Sequence, residues 1–102
     1  MVRFLVLYDI PDDPAAFDKY YNEIHIPLAK QLPGLLRYTV SRNVAPVRGG
    51  KQYYLVAELD WESTEAMQAA FGSDIGRRTG ADVANFAPGD KSHSLVFEVA
   101  EV

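Results

Sequence analysis

The sequence contains no cysteine, so disulfides, thiolate catalysis and cysteine-bound metals are excluded. Histidine is also scarce: His25 and His93 are the only two, and they share no HxxxH or HxH spacing. A metal site is therefore not expected unless both histidines and a carboxylate converge in space. No glycine-rich phosphate loop occurs, because residues 48–51 have the pattern of a hairpin turn. We expect no metal and no nucleotide cofactor.

Positive charge is limited as well. The net charge is -4, the pI is about 5.0, and the basic residues are scattered apart from Arg77 and Arg78. Without a basic stripe, nucleic acid and anionic membrane surfaces are not expected as partners. No apolar run approaches membrane-spanning length, and residues 1–9 resemble a strand more than a signal peptide. The expected location is the cytoplasm.

The 102 residues predict one domain, 1–102, of the α+β class. Alternating or continuous apolar patterns predict four strands, at 2–9, 35–45, 52–61 and 92–102. Capping residues and apolar stripes predict helices at about 14–31 and 64–72, whereas 73–86 is expected to be irregular with a turn or two of helix. This order predicts a ferredoxin-like βαββαβ sandwich, with an antiparallel four-stranded sheet and helices on one face.

Apolar side chains are predicted on both faces of this sheet, although two helices cover only one. His93, Leu95 and Phe97 are assigned to the helix side, and Tyr54, Val56 and Val96 to the open face. An open apolar face favours a homodimer with the sheets packed face to face. Glu58 and Glu98 are expected near that interface, as salt-bridge partners of an arginine such as Arg3 or Arg37.

The first predicted helix carries the best candidate for chemistry. On a helical projection of about 100° per residue, its apolar stripe consists of Phe17, Tyr20, Tyr21, Ile24, Leu28 and Leu32. His25 lies on the flank of this stripe, where it can point into the space between helix and sheet. Pro27 has no N–H to donate to the Glu23 carbonyl, so the helix is expected to kink or thin out near His25.

His25 is thus the candidate general acid or base, and Tyr21, one turn away, is the candidate hydroxyl partner. Tyr20, Leu28, Trp61, Phe86 and His93 are the candidate substrate-binding residues. Each has a structural alternative: His25 can stabilise the kink, the aromatic residues can belong to the core, and His93 can be solvated at a strand start.

The spacing Phe17-x-x-Tyr20-Tyr21-x-x-x-His25-x-Pro27-Leu28, the segment Leu32-Pro33-Gly34-Leu35 and the later Ala81-Asp82-Val83-x-Asn85-Phe86 resemble the signature of the EthD family, named for ethyl tert-butyl ether degradation. The resemblance covers essentially the whole chain. It implies the dimeric α/β barrel, a dimer of ferredoxin-like domains, with a pocket between helices and sheet that a histidine in the position of His25 lines.

The function expected from residues and resemblance together is a homodimer that binds a small hydrophobic, oxygenated organic molecule. His25 would support cofactor-free isomerisation, cyclisation or decarboxylation. One alternative is a non-catalytic accessory or ligand-binding protein of a degradation or biosynthetic pathway. A second is a cofactor-independent monooxygenase.

Overall fold

The computed structural model describes residues 1–102 and confirms the ferredoxin-like prediction. Four antiparallel strands form one sheet in the order β2-β3-β1-β4. Their bounds are Val2–Tyr8 for β1, Arg37–Ser41 for β2, Leu55–Trp61 for β3 and Ser92–Glu98 for β4. All four are shorter than predicted, β1 by one residue only. The end of β4 is limited by its neighbour: β1 begins at Val2, so 99–102 lie beyond the ladder.

The first helix is continuous but has three segments: α1 (Pro14–Tyr20), a π-helical turn (Tyr21–His25) and α2 (Ile26–Ala29). Asp13 caps its start by accepting a hydrogen bond from the Ala16 N–H at 3.1 Å. The disturbance expected from Pro27 takes the form of the wider turn, in which the Ile26 N–H donates to the Tyr21 carbonyl five residues back.

The π-helical turn changes which side of the helix is buried. Residues four apart are buried, namely Phe17, Tyr21, His25 and Ala29, whereas Ile24 is 49% exposed. The extra residue in the turn rotates the following side chains relative to a regular helix. The predicted stripe was therefore wrong at Ile24, and His25 lies at the centre of the buried face rather than on its flank.

The prediction for 73–86 was wrong. After α3 (Thr64–Gly72), a second nine-residue helix, α4 (Asp74–Asp82), follows directly and ends in a 3-10 turn (Val83–Asn85). Gly76 is located where an added Cβ atom would collide with the Ala70 carbonyl oxygen. This glycine therefore allows the two helices to approach closely and does not interrupt α4.

The helices cover one face of the sheet, and the core between the layers includes the fully buried Tyr8, Tyr21, Leu55 and Trp61. None of the helices combines the length and the apolar character needed to span a membrane.

The predicted parity of the last strand was wrong. In the observed register His93, Leu95 and Phe97 pair with Leu7, Leu5 and Arg3, on the open face of the sheet. Val96 and Glu98 point to the helix side instead, because they pair with Phe4 and Val2. β4 is an edge strand that the helices do not cover, so its more apolar side can face outward.

Three further residues were assigned to the open face, and Val56 lies there opposite Leu7. Tyr54 bonds through its hydroxyl to Asp18 of α1 at 2.9 Å and so belongs to the helix side. Glu58 does lie on the open face, where it forms an ion pair with Arg3 at 3.1 Å.

Candidate active site

A cavity of about 290 Å³ lies between the sheet and the helices, and its lining includes Ser92 and Ser94 of β4. Its volume is at the lower end of the range for small-molecule pockets, roughly 300 Å³ and above. Eleven of its 16 lining residues are hydrophobic, and none carries a formal charge apart from the titratable His25. The cavity therefore suits a small and largely apolar molecule.

His25 contributes its ring to this cavity although the residue is only 4% exposed. Its Nδ1 lies 2.9 Å from Asp82 Oδ2. Its Nε2 has no hydrogen-bond partner in the protein. Every side-chain nitrogen or oxygen that is fully enclosed does have a partner, so Nε2 is not fully enclosed. Nε2 is therefore open to the accessible space of the cavity.

Asp82 is the centre of a hydrogen-bond network at the end of α4. Its Oδ1 accepts from the Tyr20 hydroxyl at 2.6 Å and from Asn85 Nδ2 at 3.0 Å, while Oδ2 faces His25. Burial raises the pKa of the Asp82 carboxyl, but the bonds from Tyr20, Asn85 and His25 outweigh burial and leave the pKa below its ordinary value. An ionised Asp82 accepts a hydrogen bond from Nδ1–H of His25. The proton of the neutral ring is then on Nδ1, and the lone pair of Nε2 faces the cavity.

Burial also lowers the pKa of His25, because the charged imidazolium is poorly solvated between helix and sheet. The hydrogen bond and the negative charge of Asp82 oppose this effect without cancelling it. The imidazole is thus neutral at neutral pH. A neutral imidazole with a free Nε2 and an anchored Nδ1 is the arrangement of a general base.

Two tyrosine hydroxyls add donors to the cavity lining. Tyr21 and Tyr38 both line it, and their hydroxyl oxygens lie 2.6 Å apart. Burial raises the pKa of Tyr38 to about 12 and raises the pKa of Tyr21 further. Both phenols therefore stay protonated and can donate hydrogen bonds.

The structure places only some of the predicted site residues in the cavity. His25 and Tyr21 line the cavity together. Tyr20 instead supports Asp82, and Phe86 packs behind the His25 ring, with the ring centroids 4.6 Å apart. Leu28 and Trp61 lie outside the lining, and Trp61 Nε1 donates to the Pro33 carbonyl in the core at 2.9 Å.

His93 is outside the cavity as well. It lies on the open face of the sheet, where Nε2 is 3.1 Å from Asp9 Oδ1. The two histidines thus contact different carboxylates and do not converge.

Asp82, Tyr38 and Tyr8, which also lines the cavity, were not predicted as site residues. The sequence signal for Asp82 was its place in the EthD-like segment Ala81-Asp82-Val83-x-Asn85-Phe86. In the structure Gly76, Thr79 and Asp82 are buried at a three-residue spacing along α4. That spacing indicates one face of a helix, but the glycines made the segment look irregular.

These features define a class: a small ferredoxin-like protein with a cavity between sheet and helices, into which a histidine–aspartate pair faces. The EthD domain model matches residues 11–90, and the chain belongs to the EthD family. It is 38% identical over 89 residues to an uncharacterised 11.0 kDa protein of the thcB-thcC intergenic region of Rhodococcus erythropolis, with 87% of this chain and 86% of that protein covered.

Solved structures agree with this assignment. An EthD family protein from Bacillus halodurans superposes with a TM-score of 0.89 at 34% identity, covering 98% of this chain and 99% of that one. Two structures at 17% identity share the fold alone. One is a dimeric ferredoxin-like protein of unknown function from Jannaschia, with a TM-score of 0.72 and 96% and 98% coverage. The other is SnoaB, a cofactor-independent oxygenase from Streptomyces nogalater, with a TM-score of 0.67 and 99% and 94% coverage.

Proposed function

We propose that this protein is a cytoplasmic homodimer that binds a hydrophobic, oxygenated organic molecule in the cavity and transfers a proton to or from it through His25. The reaction class is a cofactor-free isomerisation, cyclisation or decarboxylation. One observation carries the proposal: Asp82 holds Nδ1 of His25 at 2.9 Å while Nε2 is left without a protein partner at the cavity.

The chemistry follows from the two ends of the imidazole. Nε2 takes a proton from a carbon next to a carbonyl group, and the C–H electron pair becomes a carbon–carbon double bond. The carbonyl π electrons move to oxygen, where a hydroxyl of the Tyr21–Tyr38 pair donates a hydrogen bond to the growing charge. Asp82 stabilises the imidazolium. In an isomerisation the substrate carries a C=C bond next to the acidic carbon, and the imidazolium returns the proton to the far carbon of that bond while the double bond shifts and the carbonyl re-forms.

Deuterium exchange tests this proposal directly. With 2-tetralone as the probe ketone in D2O, NMR measures the loss of the protons next to the carbonyl. The His25→Gln variant is expected to lower the protein-catalysed rate by about 10²–10⁴-fold, the usual contribution of a general base. His93→Gln, at the other histidine, is the matched control and keeps the rate. An unchanged rate in His25→Gln, with its fold verified by circular dichroism, would contradict the proposal.

The same probe separates the non-catalytic alternative. An accessory or ligand-binding protein would bind 2-tetralone in a titration without accelerating its exchange in D2O. Binding without exchange in the unsubstituted protein would thus favour that alternative.

The oxygenase alternative draws on the fold shared with SnoaB and on the same base. Nε2 of His25 can deprotonate a phenol, and the resulting electron-rich anion is a donor for O2. An oxygen electrode with 1-naphthol measures this: consumption of O2 that depends on the protein and is lost in His25→Gln would favour oxygenation, and no consumption would exclude it for this phenol.

The homodimer belongs to the proposal because of the open face of the sheet. Leu5 and Leu7 lie there beside Leu95 and Phe97, which are 54% and 40% exposed. Such a contiguous apolar patch favours a partner surface, and the dimeric ferredoxin-like protein from Jannaschia supports a second copy in that role.

A further inference from the structure

The cavity offers no opposite charge to stabilise an ionised ligand. Its lining holds no Asp, Glu, Lys or Arg side chain. The polar groups are three tyrosines, His25, Thr79 and the two serines of β4, and the Thr79 hydroxyl already donates to the Ile75 carbonyl at 2.7 Å. A carboxylate entering this space would give up its hydration without meeting a cation, and that exchange is strongly unfavourable.

A cluster of three tyrosine hydroxyls retains one hydrogen for a ligand. The hydroxyl oxygens of Tyr21 and Tyr38 lie 2.6 Å apart, and the Tyr21 hydroxyl also interacts with the hydroxyl of Tyr8. Three hydroxyls joined by two contacts use at most two of their three hydrogens. One O–H therefore remains free for a ligand, and the bonds within the cluster polarise it as a donor.

Tyr8 belongs to this cluster and lines the same cavity. Its ring lies edge-on to that of Tyr21, with centroids 5.6 Å apart, and its hydroxyl interacts with the Tyr21 hydroxyl. The inner part of the cavity therefore presents a neutral cluster of tyrosine hydroxyls and one neutral acceptor, the His25 Nε2.

We infer, building on the proposed function, that the cavity selects uncharged carbonyl compounds whose oxygen accepts a hydrogen bond from the hydroxyl cluster of Tyr8, Tyr21 and Tyr38, and that it rejects carboxylic acids. An enolisable ketone fits this set, because it offers an acceptor oxygen to the tyrosines and an acidic C–H to His25. Among the three proposed reaction classes, isomerisation or cyclisation of a neutral ketone therefore fits this cavity better than decarboxylation, whose substrate is a carboxylate.

Isothermal titration with three molecules of similar size tests the selectivity: 2-tetralone, its hydrocarbon tetralin, and 2-naphthoate at pH 7.5. The unsubstituted protein is expected to bind the ketone at least about tenfold more tightly than the carboxylate. Equal or tighter binding of 2-naphthoate would overturn the inference, as would failure to bind the ketone at all.

The donors are tested with the double variant Tyr21→Phe/Tyr38→Phe. It should weaken ketone binding by about tenfold, the usual effect of one hydrogen bond, and leave tetralin binding unchanged. Tyr53→Phe, outside the cavity, is the matched control. If the double variant loses tetralin binding through misfolding, Tyr38→Phe and Tyr8→Phe are titrated singly. Ketone affinity that survives in every variant that still binds tetralin would overturn the role of the hydroxyls.

These are equilibrium measurements and do not depend on catalysis. Failure of proton transfer would appear as unchanged exchange in His25→Gln, with the preference for ketone over carboxylate intact. Failure of the selectivity would appear in the titrations while the exchange assay still depended on His25.

Discussion

Asp82 Oδ2 lies 2.9 Å from His25 Nδ1, although the two residues are 57 positions apart in the chain. The contact joins the π-helical turn of the first helix to the last residue of α4. The wide turn brings the imidazole to the buried face, and α4 supplies the carboxylate. Both elements are therefore needed to leave Nε2 free at the cavity.

We predict that Asp82→Asn reverses the tautomer of His25. Two donors, the Tyr20 hydroxyl and Asn85 Nδ2, contact Oδ1, so the amide oxygen of the substituted side chain should occupy that position. Its NH2 group then faces Nδ1 and donates to it, and the ring proton moves to Nε2. With Nε2 protonated, the base is lost and tetralone exchange should fall by about 10²-fold or more.

Nitrogen-15 NMR of the imidazole checks the tautomer separately from the rate. Asp74→Asn, the same substitution at an exposed position of the same helix, should change neither the spectrum nor the exchange. An Nδ1–H tautomer persisting in Asp82→Asn would contradict the predicted arrangement.

We also predict that His25 makes the protein less stable on mild acidification. Burial lowers the pKa of His25 in the folded state below the value of about 6.5 expected in the unfolded chain. Below pH 6.5 the unfolded state therefore binds more protons, and the free energy of unfolding falls as pH decreases toward the folded-state pKa. The free energy of unfolding is highest above pH 6.5, where His25 is neutral in both states. It is lowest below the folded-state pKa, where His25 is protonated in both states.

Urea titrations between pH 7.5 and 5 measure this effect. Because Gln does not titrate, His25→Gln should show a smaller loss of stability over that range than the unsubstituted protein. Asp82 contributes at lower pH, since its lowered pKa gives stability that disappears only as pH falls below about 3.9. Equal slopes for both proteins between pH 6.5 and 5 would contradict the prediction.

Much of the architecture was predictable because it depends on local periodicity. Strand alternation and the capping residues Asp13 and Ser63 located the strands and two helices, and their order indicated the sheet topology. The position of Pro27 indicated a disturbance near His25, and the spacing of Tyr21 from His25 placed both in one cavity.

The features that could not be predicted from the sequence depend on long-range contacts. Gly76 and Gly80 lowered the apparent helical character of α4, and only packing against α3 shows why Gly76 is compatible with a helix. His93 was misplaced because the apolar side of β4 faces away from the helices. No periodicity reveals that a strand lies at an uncovered edge, because that depends on how far the helices extend over the sheet.

Gly76→Ala is expected to destabilise the protein. Its Cβ would collide with the Ala70 carbonyl oxygen and lie 2.5 Å from the Phe71 Cα, so α4 must shift away from α3. Overpacking of this kind costs about 1–3 kcal/mol. Gly80→Ala is the matched control in the same helix: its Cβ meets nothing within 4 Å, and alanine should add up to about 1 kcal/mol of helix stability. Thermal unfolding should give a lower Tm than that of the parent for Gly76→Ala and a higher Tm for Gly80→Ala. A Gly76→Ala protein as stable as the parent would show that α4 can move freely.

The last prediction concerns the open face and uses two adjacent residues of β4. Leu95 is 54% exposed on the open face opposite Leu5, whereas Val96 is 49% exposed on the helix side opposite Phe4. Leu95→Glu would place an unpaired carboxylate within the proposed sheet-to-sheet interface of each subunit. An unpaired buried charge costs about 3 kcal/mol or more, so the dissociation constant should rise by at least about 100-fold.

Val96→Glu is the matched control, because it introduces the same charge at similar exposure on the other side of the strand. Sedimentation velocity at micromolar concentration should show monomers for Leu95→Glu and dimers for Val96→Glu and the parent protein. Dissociation by Val96→Glu with retention of the dimer in Leu95→Glu would move the interface to the helix side of β4. A parent protein that sediments as a monomer would contradict the proposed dimer, and the leucines of the open face would then be exposed to solvent.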